Sequence, residues 1–454
     1  MCFVGASQNT FVPDDNFEQA LIDLGYDSGP LDDYVPTGNI VGVTNLDIQN
    51  LSISDLTGIE DFVALTALDC SDNNLTDIDV TKNTALMILW FSNNLVSSID
   101  VTKNVNLISL VCSYNLISNL NLSLNPSLNV LVCENNQLSA LDVTKNTNLS
   151  ILTCENNQIK SLDLSNNDNL SSLNCSFNFL SELDVSNKPK LLNLFCDNNL
   201  LTELDFSNTI SLTILNCGFN QLSELDISKN PYLTTVVCND NNLCRLNLNN
   251  GNNLLLDIYF ISNPNLNCVV VDNPFDDHSR WIPTNFSNYV SSQNNCSNFV
   301  NVDSLDNVIT NSSYSLPTIT YGNYYTESGG NGTILNAGDI ITTSQTIYIF
   351  NDMGCYTNES SFNVVITQDT YYIPKFFTPN NDGSHDTWQV LDNSNTIQTI
   401  YIYNRYGKLL KSIAPNGEGW NGTFNGQAME SNDYWYAITL NTGETIKGHF
   451  TLKR

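Results

Sequence analysis

The chain has 454 residues, with 47 Asp and Glu against 16 Lys and Arg, a formal net charge of −31. Such a charge repels phosphate backbones and anionic membrane surfaces, which argues against nucleic-acid binding. No apolar run approaches the ~18 residues of a spanning helix, and a length of this size allows about three domains. Abundant Asn, Ser and Thr beside few basic residues suits a secreted surface protein.

Residues 1–7, MCFVGAS, read as the remnant of a signal peptide, because Gly5-Ala6-Ser7 has the small side chains of a cleavage site before Gln8. Residues 8–45 read as an N-terminal cap. The stretch VPDDNFEQALIDLGYD predicts a short helix, with an Asp cap, Glu18 at capping-box distance from Asp15, and Phe17, Ala20, Leu21 and Leu24 on one face. Asp27, Asp32 and Asp33 lack the fixed spacing and Gly of an EF-hand loop and read as turn residues.

From residue 46 to 266 the chain repeats itself every 21 residues. Leu recurs from Leu65 through Leu128 to Leu254, Cys from Cys70 through Cys133 to Cys238 with Phe91 in the one gap, and Asn from Asn73 through Asn157 to Asn241. A fixed period of this length predicts stacked units that cannot bury their apolar face alone. Within one unit Leu131 and Cys133 alternate with Val130, Val132 and Glu134, the pattern of a strand with one buried face. The unit L-x-x-L-x-C-x-x-N-x-L, as in Leu128–Leu138, resembles the leucine-rich repeat with Cys in place of its third Leu. The predicted fold is mainly β: a leucine-rich repeat solenoid with a short cap helix, then a β-sandwich module and a small all-β C-terminal domain. In such repeats the Asn side chain bonds backbone groups the turn leaves unpaired, so Asn157 should matter to stability where its neighbour Asn156 should not. Adjacent column cysteines lie nearly 5 Å apart, against the roughly 3.5–4.5 Å between Cβ atoms that a disulfide wants, and are expected to stay reduced as small apolar fillers.

Three columns face outward. Asp79, Asp100, Asp142, Asp163, Asp184, Asp205 and Asp226 form a solvated row on the back, offset by Lys82, Lys103, Lys145 and Lys229. On the strands, Trp90, Val111, Val132, Thr153, Asn174, Phe195, Asn216 and Val237 form a stripe flanked by Ile88, Val130, Ile151 and Ile214, with Tyr114, Phe177 and Phe219 nearby. An apolar and aromatic stripe of this kind marks a ligand surface.

Residues 267–298 read as the C-terminal cap of the solenoid, with Trp281 and Phe286 as apolar plugs. Cys268 and Cys296 bracket this segment and are expected to pair, worth roughly 3–4 kcal/mol. Residues 299–369 have short alternating runs broken by Gly, Asn and Asp, the texture of a small antiparallel sandwich; they look like the immunoglobulin-like spacers of bacterial surface proteins. Cys355 stands alone there and is expected to be unpaired.

Residues 370–454 carry FFTPNNDGSHDTWQV, IYIYNRYGKLLKS, GWNGTFNGQAMESNDYWYAI and KGHFTLKR in order. Together these closely resemble the type B gliding-motility-associated C-terminal domain. The resemblance implies export by the type 9 secretion translocon and association with an outer-membrane barrel of the PorP type. It places the protein outside the cell, secreted or attached to the outer membrane. Asn380, Asp382 and Asp386 in N-x-D-G-x-x-D offer alternate oxygen ligands around a Gly turn, a possible calcium site; no other cofactor is expected.

The chain shows no H-E-x-x-H, G-x-S-x-G, Walker or dinucleotide motif, and its three histidines fall in separate segments. It therefore reads as a non-enzyme: a cell-surface binding or adhesion protein whose solenoid sheet recognises a protein or glycan partner. The alternative is a structural component of a surface or gliding-motility apparatus.

Overall fold

The computed structural model describes residues 8–367, 371–380 and 385–454. Residues 1–7, Gln368-Asp369-Thr370 and Asp382 lie outside the described residues. The chain divides into two compact units, 1–295 and 296–454.

The first unit is the leucine-rich repeat solenoid. Eleven three-residue strands, from Asn45–Asp47 to Asp257–Tyr259, form one parallel sheet in which each strand pairs with the next coil. The register is strict: Leu131 lies beside Leu110 and Leu152, Val132 beside Val111 and Thr153. The first and last steps take one residue more, Asn45 to Ala67 and Thr235 to Asp257. A parallel bridge from Tyr259 to Ile282 adds a further turn. The middle residue of each strand and the Cys after it are buried, while the flanking strand residues reach the surface. Leu128, Leu131, Leu138, Leu141 and Val143 fill one coil's interior. Each contributes on the order of 1.5–3 kcal/mol, but only once the neighbouring coils close over it.

Two polar columns tie the coils together. Asn157 Nδ2 donates to Cys133 O of the previous coil (3.0 Å) and to Cys154 O and Glu155 O of its own, while its Oδ1 accepts from Leu138 N (2.9 Å). The same pattern runs from Asn73 to Asn263. A second column, which the sequence reading missed, is Asn83, Asn104, Asn125, Asn146, Asn167 and Asn230. In it Asn104 Nδ2 donates to Val80 O and Asn83 O (3.0 and 2.9 Å). Thr209 and Lys188 replace Asn in this row; Thr209 Oγ1 bonds Val185 O and the buried Lys188 stem sends its ammonium to Asp168.

The back row of aspartates is exposed to solvent, as expected. Its carboxylates also bond their own chain: Asp142 Oδ1 accepts from Thr144 N and Oγ1 at 2.9 and 2.7 Å, and Asp79 repeats this with Thr81. None of Lys82, Lys103, Lys145 or Lys229 forms an ion pair among the described residues. The row is a stack of Asx turns, which short polar side chains form two residues on.

The N-terminal cap is a helix at Asp15–Asp23. Phe17, Ala20 and Leu21 are buried on the first coil, Phe17 facing Phe62, but Leu24 is exposed. The capping residue is Asp14: its Oδ1 accepts from Asn16 N and Phe17 N, its Oδ2 from Ser54 N, Ser54 Oγ and Asp55 N. The expected box from Asp15 to Glu18 does not form, because Glu18 is drawn away to accept from Asp32 N and Asp33 N. At the far end Trp281 is buried with Nε1 on Leu256 O, and His278, Phe286 and Tyr289 pack around it. Strands 224–226, 245–247, 269–270 and 289–290 form a second sheet there.

The second unit holds two small β modules. The first has a five-stranded sheet and a two-stranded one around Leu316, Tyr324, Ile341, Ile347, Ile349, Phe362 and Val364. It is not purely antiparallel as expected: Val308–Thr310 runs parallel to Thr357–Ile366. The second is a five-stranded sheet over a core of Phe377, Trp388, Trp420, Tyr434 and Phe450, with Trp388 stacked on Phe450 at 3.9 Å. The modules meet through Ile309, Val365 and Leu391 and through Asn307 Nδ2 on Gln389 Oε1.

Cys244, Cys268, Cys296 and Cys355 are all disulfide-bonded. Cys355 is therefore not the lone thiol the sequence suggested, and a single Cys268–Cys296 bond cannot account for four half-cystines. The Cys355 turn folds back toward the segment after Cys296, with Asn358 Nδ2 on Val300 O, a closeness that sequence spacing does not reveal.

Candidate binding face of the solenoid

The outward residues of the strands form the candidate site. Register brings Trp90, Val111, Val132, Thr153, Asn174, Phe195, Asn216 and Val237 side by side in one line, one per coil. Trp90 is 39% exposed and braced by Nε1 on Ser109 Oγ (3.0 Å), and the others are half-buried. Three-residue strands leave these side chains no alternative: with period 2, fixing Leu in the core fixes both neighbours outward.

The residue after the buried Cys is Ser113, Glu134, Glu155, Ser176, Asp197 and Gly218 on successive coils; the three acids are half-buried and Ser113, Ser176 and Gly218 are buried. Asn174 Nδ2 donates to Glu155 Oε2 (2.6 Å), and Asp197 Oδ1 accepts from Asn216 Nδ2 and Ser176 Oγ (2.8 and 2.6 Å). No hydrogen bond or ion pair reaches the Glu134 side chain among the described residues. Burial raises its pKa, and the Glu155 carboxylate on the next coil raises it further. Both effects disfavour its charge.

The residue after that is left-handed on every coil. Asp72, Asn93, Asn135, Asn156, Asn198 and Asp240 have φ between 51° and 57°, as suits short polar side chains. Tyr114, Phe177 and Phe219 adopt the same φ of 51–53° and are 53, 48 and 52% exposed. Bulky residues gain nothing locally there and cost about 1 kcal/mol or more each. The sequence reading placed these rings near the stripe but had no sign of their strained backbone; the run of Asn at the same repeat position was the available signal.

The eight column cysteines are free and fully buried. Burial pushes the thiols of Cys112, Cys154 and Cys217 up to about 12 and raises the other five as well. They are packing groups with no thiolate to offer. Of the calcium ligands expected in the second unit, Asp386 Oδ1 accepts from Asn380 N (3.0 Å), and Asp382 lies outside the described residues. In the N-terminal cap, Asp15, Glu18 and Asp33 bring carboxylates within 4.8 Å of one another, but both Glu18 oxygens already accept backbone N–H groups.

Residues 371–452 match the CHU_C type IX secretion signal domain. The C-terminal module is a type IX secretion signal domain. Such a domain directs export to the cell surface or beyond, so the chain is a secreted leucine-rich repeat protein handled by the type IX system. Ahead of the signal domain, the solenoid resembles internalins. The functional domain of InlJ from Listeria monocytogenes, described as including a cysteine ladder, superposes with a TM-score of 0.50 and 24% identity over 80% of this chain and all of that one. A Listeria monocytogenes internalin, InlF, gives 0.38 and 19% over 57% and 95%. In sequence, 78 residues are 37% identical to Internalin J of Listeria monocytogenes serotype 4b, which is 17% of this chain and 8% of that protein. The chain thus spans a small part of that relative's length, and the structural likeness speaks for the fold alone.

Proposed function

We propose that the protein is a non-enzymatic recognition or adhesion protein of the cell surface. Its solenoid sheet binds a protein or glycan partner, and its type IX secretion signal domain exports the chain through the translocon and tethers it by an outer-membrane barrel of the PorP type. One observation carries this reading: an in-register line of surface side chains along the sheet from Trp90 to Val237, in which Trp90, Val111, Val132, Phe195 and Val237 are apolar or aromatic and Thr153, Asn174 and Asn216 are polar. Scattered apolar residues are normal on a surface, whereas a contiguous stripe marks a contact site. Calcium at Asn380, Asp382 and Asp386 belongs to the proposal as a support of the signal domain's loop; a melting temperature of the second unit unmoved by chelator would remove it. A photoreactive residue at Thr153 of the exported protein tests the binding face. It should give a discrete adduct on intact cells, and the same probe at Asn166 on the exposed back should not. Adducts from the back alone would refute the assignment.

A further inference from the structure

The sheet face has a sign as well as a texture. Between Ala67 and Asn239 its charged side chains are Asp69, Asp72, Glu134, Glu155 and Asp197, all acidic. The seven lysines of the solenoid, such as Lys82 and Lys145, lie off the strands. The arrangement along the coils is ordered. Tyr114 stands on one coil, Glu134 and Glu155 on the next two, then Phe177, Asp197 and Phe219 on successive coils. On the coils of Glu134, Glu155 and Asp197 the left-handed residue is Asn; on those of Ser113, Ser176 and Gly218 it is an aromatic ring, whereas Ser71 and Ser92 precede Asp72 and Asn93. At roughly 4.8 Å per coil, each acid lies within one or two coil spacings of a ring.

We propose that this face binds a cationic polypeptide segment, with lysine or arginine side chains seated against Glu134, Glu155 and Asp197 and flanked by Tyr114, Phe177 and Phe219. The inference rests on the sheet being the binding face and names what it binds. Rings and carboxylates together hold a cation from two sides, the ring through its negative face and the acid through its charge. The Glu134 carboxylate, half-buried and without a partner of its own, gains most from an incoming cation. The rings occupy a backbone conformation that favours Asn, so their presence serves the surface rather than the fold. An anionic glycan or a nucleic acid would meet charge of its own sign.

The test uses the full chain and a labelled twelve-residue peptide of alternating lysine and serine, with a glutamate–serine peptide beside it, at physiological ionic strength. The lysine peptide should bind and the glutamate peptide should not. Glu134→Gln with Glu155→Gln should weaken binding about tenfold or more, the scale of a lost charge-assisted contact. Glu182→Gln with Glu203→Gln, the same charge change at exposed positions on the back, should alter it less than about twofold. Tyr114→Asn with Phe177→Asn should weaken binding while the melting temperature holds or rises, a pattern that a merely structural role would not produce. Equal effects of the two Gln pairs would reduce the binding to net charge and overturn the proposal, as would no binding at all. A crosslink from Thr153 that persists in Glu134→Gln/Glu155→Gln, with the lysine peptide failing to bind, would leave the sheet as the site and dismiss the cationic partner.

Discussion

At the scale of single residues, Asn157 shows how much one repeated side chain carries. It satisfies three carbonyls and one N–H across two coils. Asn157→Ala should cost about 1–3 kcal/mol, the penalty for leaving buried backbone groups unmet, whereas exposed Gln158→Ala should stay within about 0.5 kcal/mol; urea midpoints of the two variants decide. Asn156, which the sequence presents as an indifferent surface neighbour, is a poor control, since it sits at φ 51° and Ala there is strained. The cysteines make a second test at this scale. The native protein should resist alkylation at all eight column thiols, because burial keeps them protonated. Denaturation without reduction should expose all eight. Among the four bonded cysteines, Leu246 lies beside Val269, so Cys244 falls within one residue of Cys268 on neighbouring strands, and the expected pairs are Cys244 with Cys268 and Cys296 with Cys355. Peptide mapping without reduction should return those two pairs; a Cys268–Cys296 peptide would contradict the register argument.

At the scale of elements, the cap helix is where local signals and tertiary context diverge. The apolar spacing of Phe17, Ala20 and Leu21 was legible. The choice of Asp14 over Asp15 as cap was not, because Ser54 and Asp55 of the first coil decide it. Burial raises the Asp14 carboxyl, but hydrogen bonds from Ser54, Phe17 and Asp55 outweigh it and hold the pKa below the ordinary value. A depressed pKa stabilises the fold above the unfolded-state value and is lost as pH falls through the folded one. Asp14→Asn should therefore lower the melting temperature at neutral pH and flatten its fall toward acid. Parallel melting curves for both proteins from pH 7 to 3 would show that Asp14 contributes nothing through its charge. The inner columns of Leu, Cys and Asn were readable because each repeats in one register. The Asn83 row is just as periodic but lies outside the strand consensus. The left-handed turns were hidden because φ leaves no mark on a sequence when three of the residues are aromatic.

At the scale of the molecule, the solenoid and its successor modules were legible from period and texture. The disulfides and the contact between the two modules of the second unit depend on distant approach and were not. That contact bears on export. A cargo fused to residues 370–454 leaves Leu391 without Ile309 and Val365, while one fused to residues 296–454 keeps them. Both fusions, given a signal peptide in a type IX-competent host, should reach the surface or medium, with the longer one the more resistant to protease. Retention of a folded longer fusion in the periplasm would argue that the signal needs the solenoid. The account as a whole rests on the sheet being the face that meets a partner. The most direct measurement is binding of the exported protein to its native cell surface, before and after Trp90→Ala with Phe195→Ala. The account predicts normal export, an unchanged solenoid melting profile and lost binding; a folded, exported double variant that binds as well as wild type would move the site off the sheet.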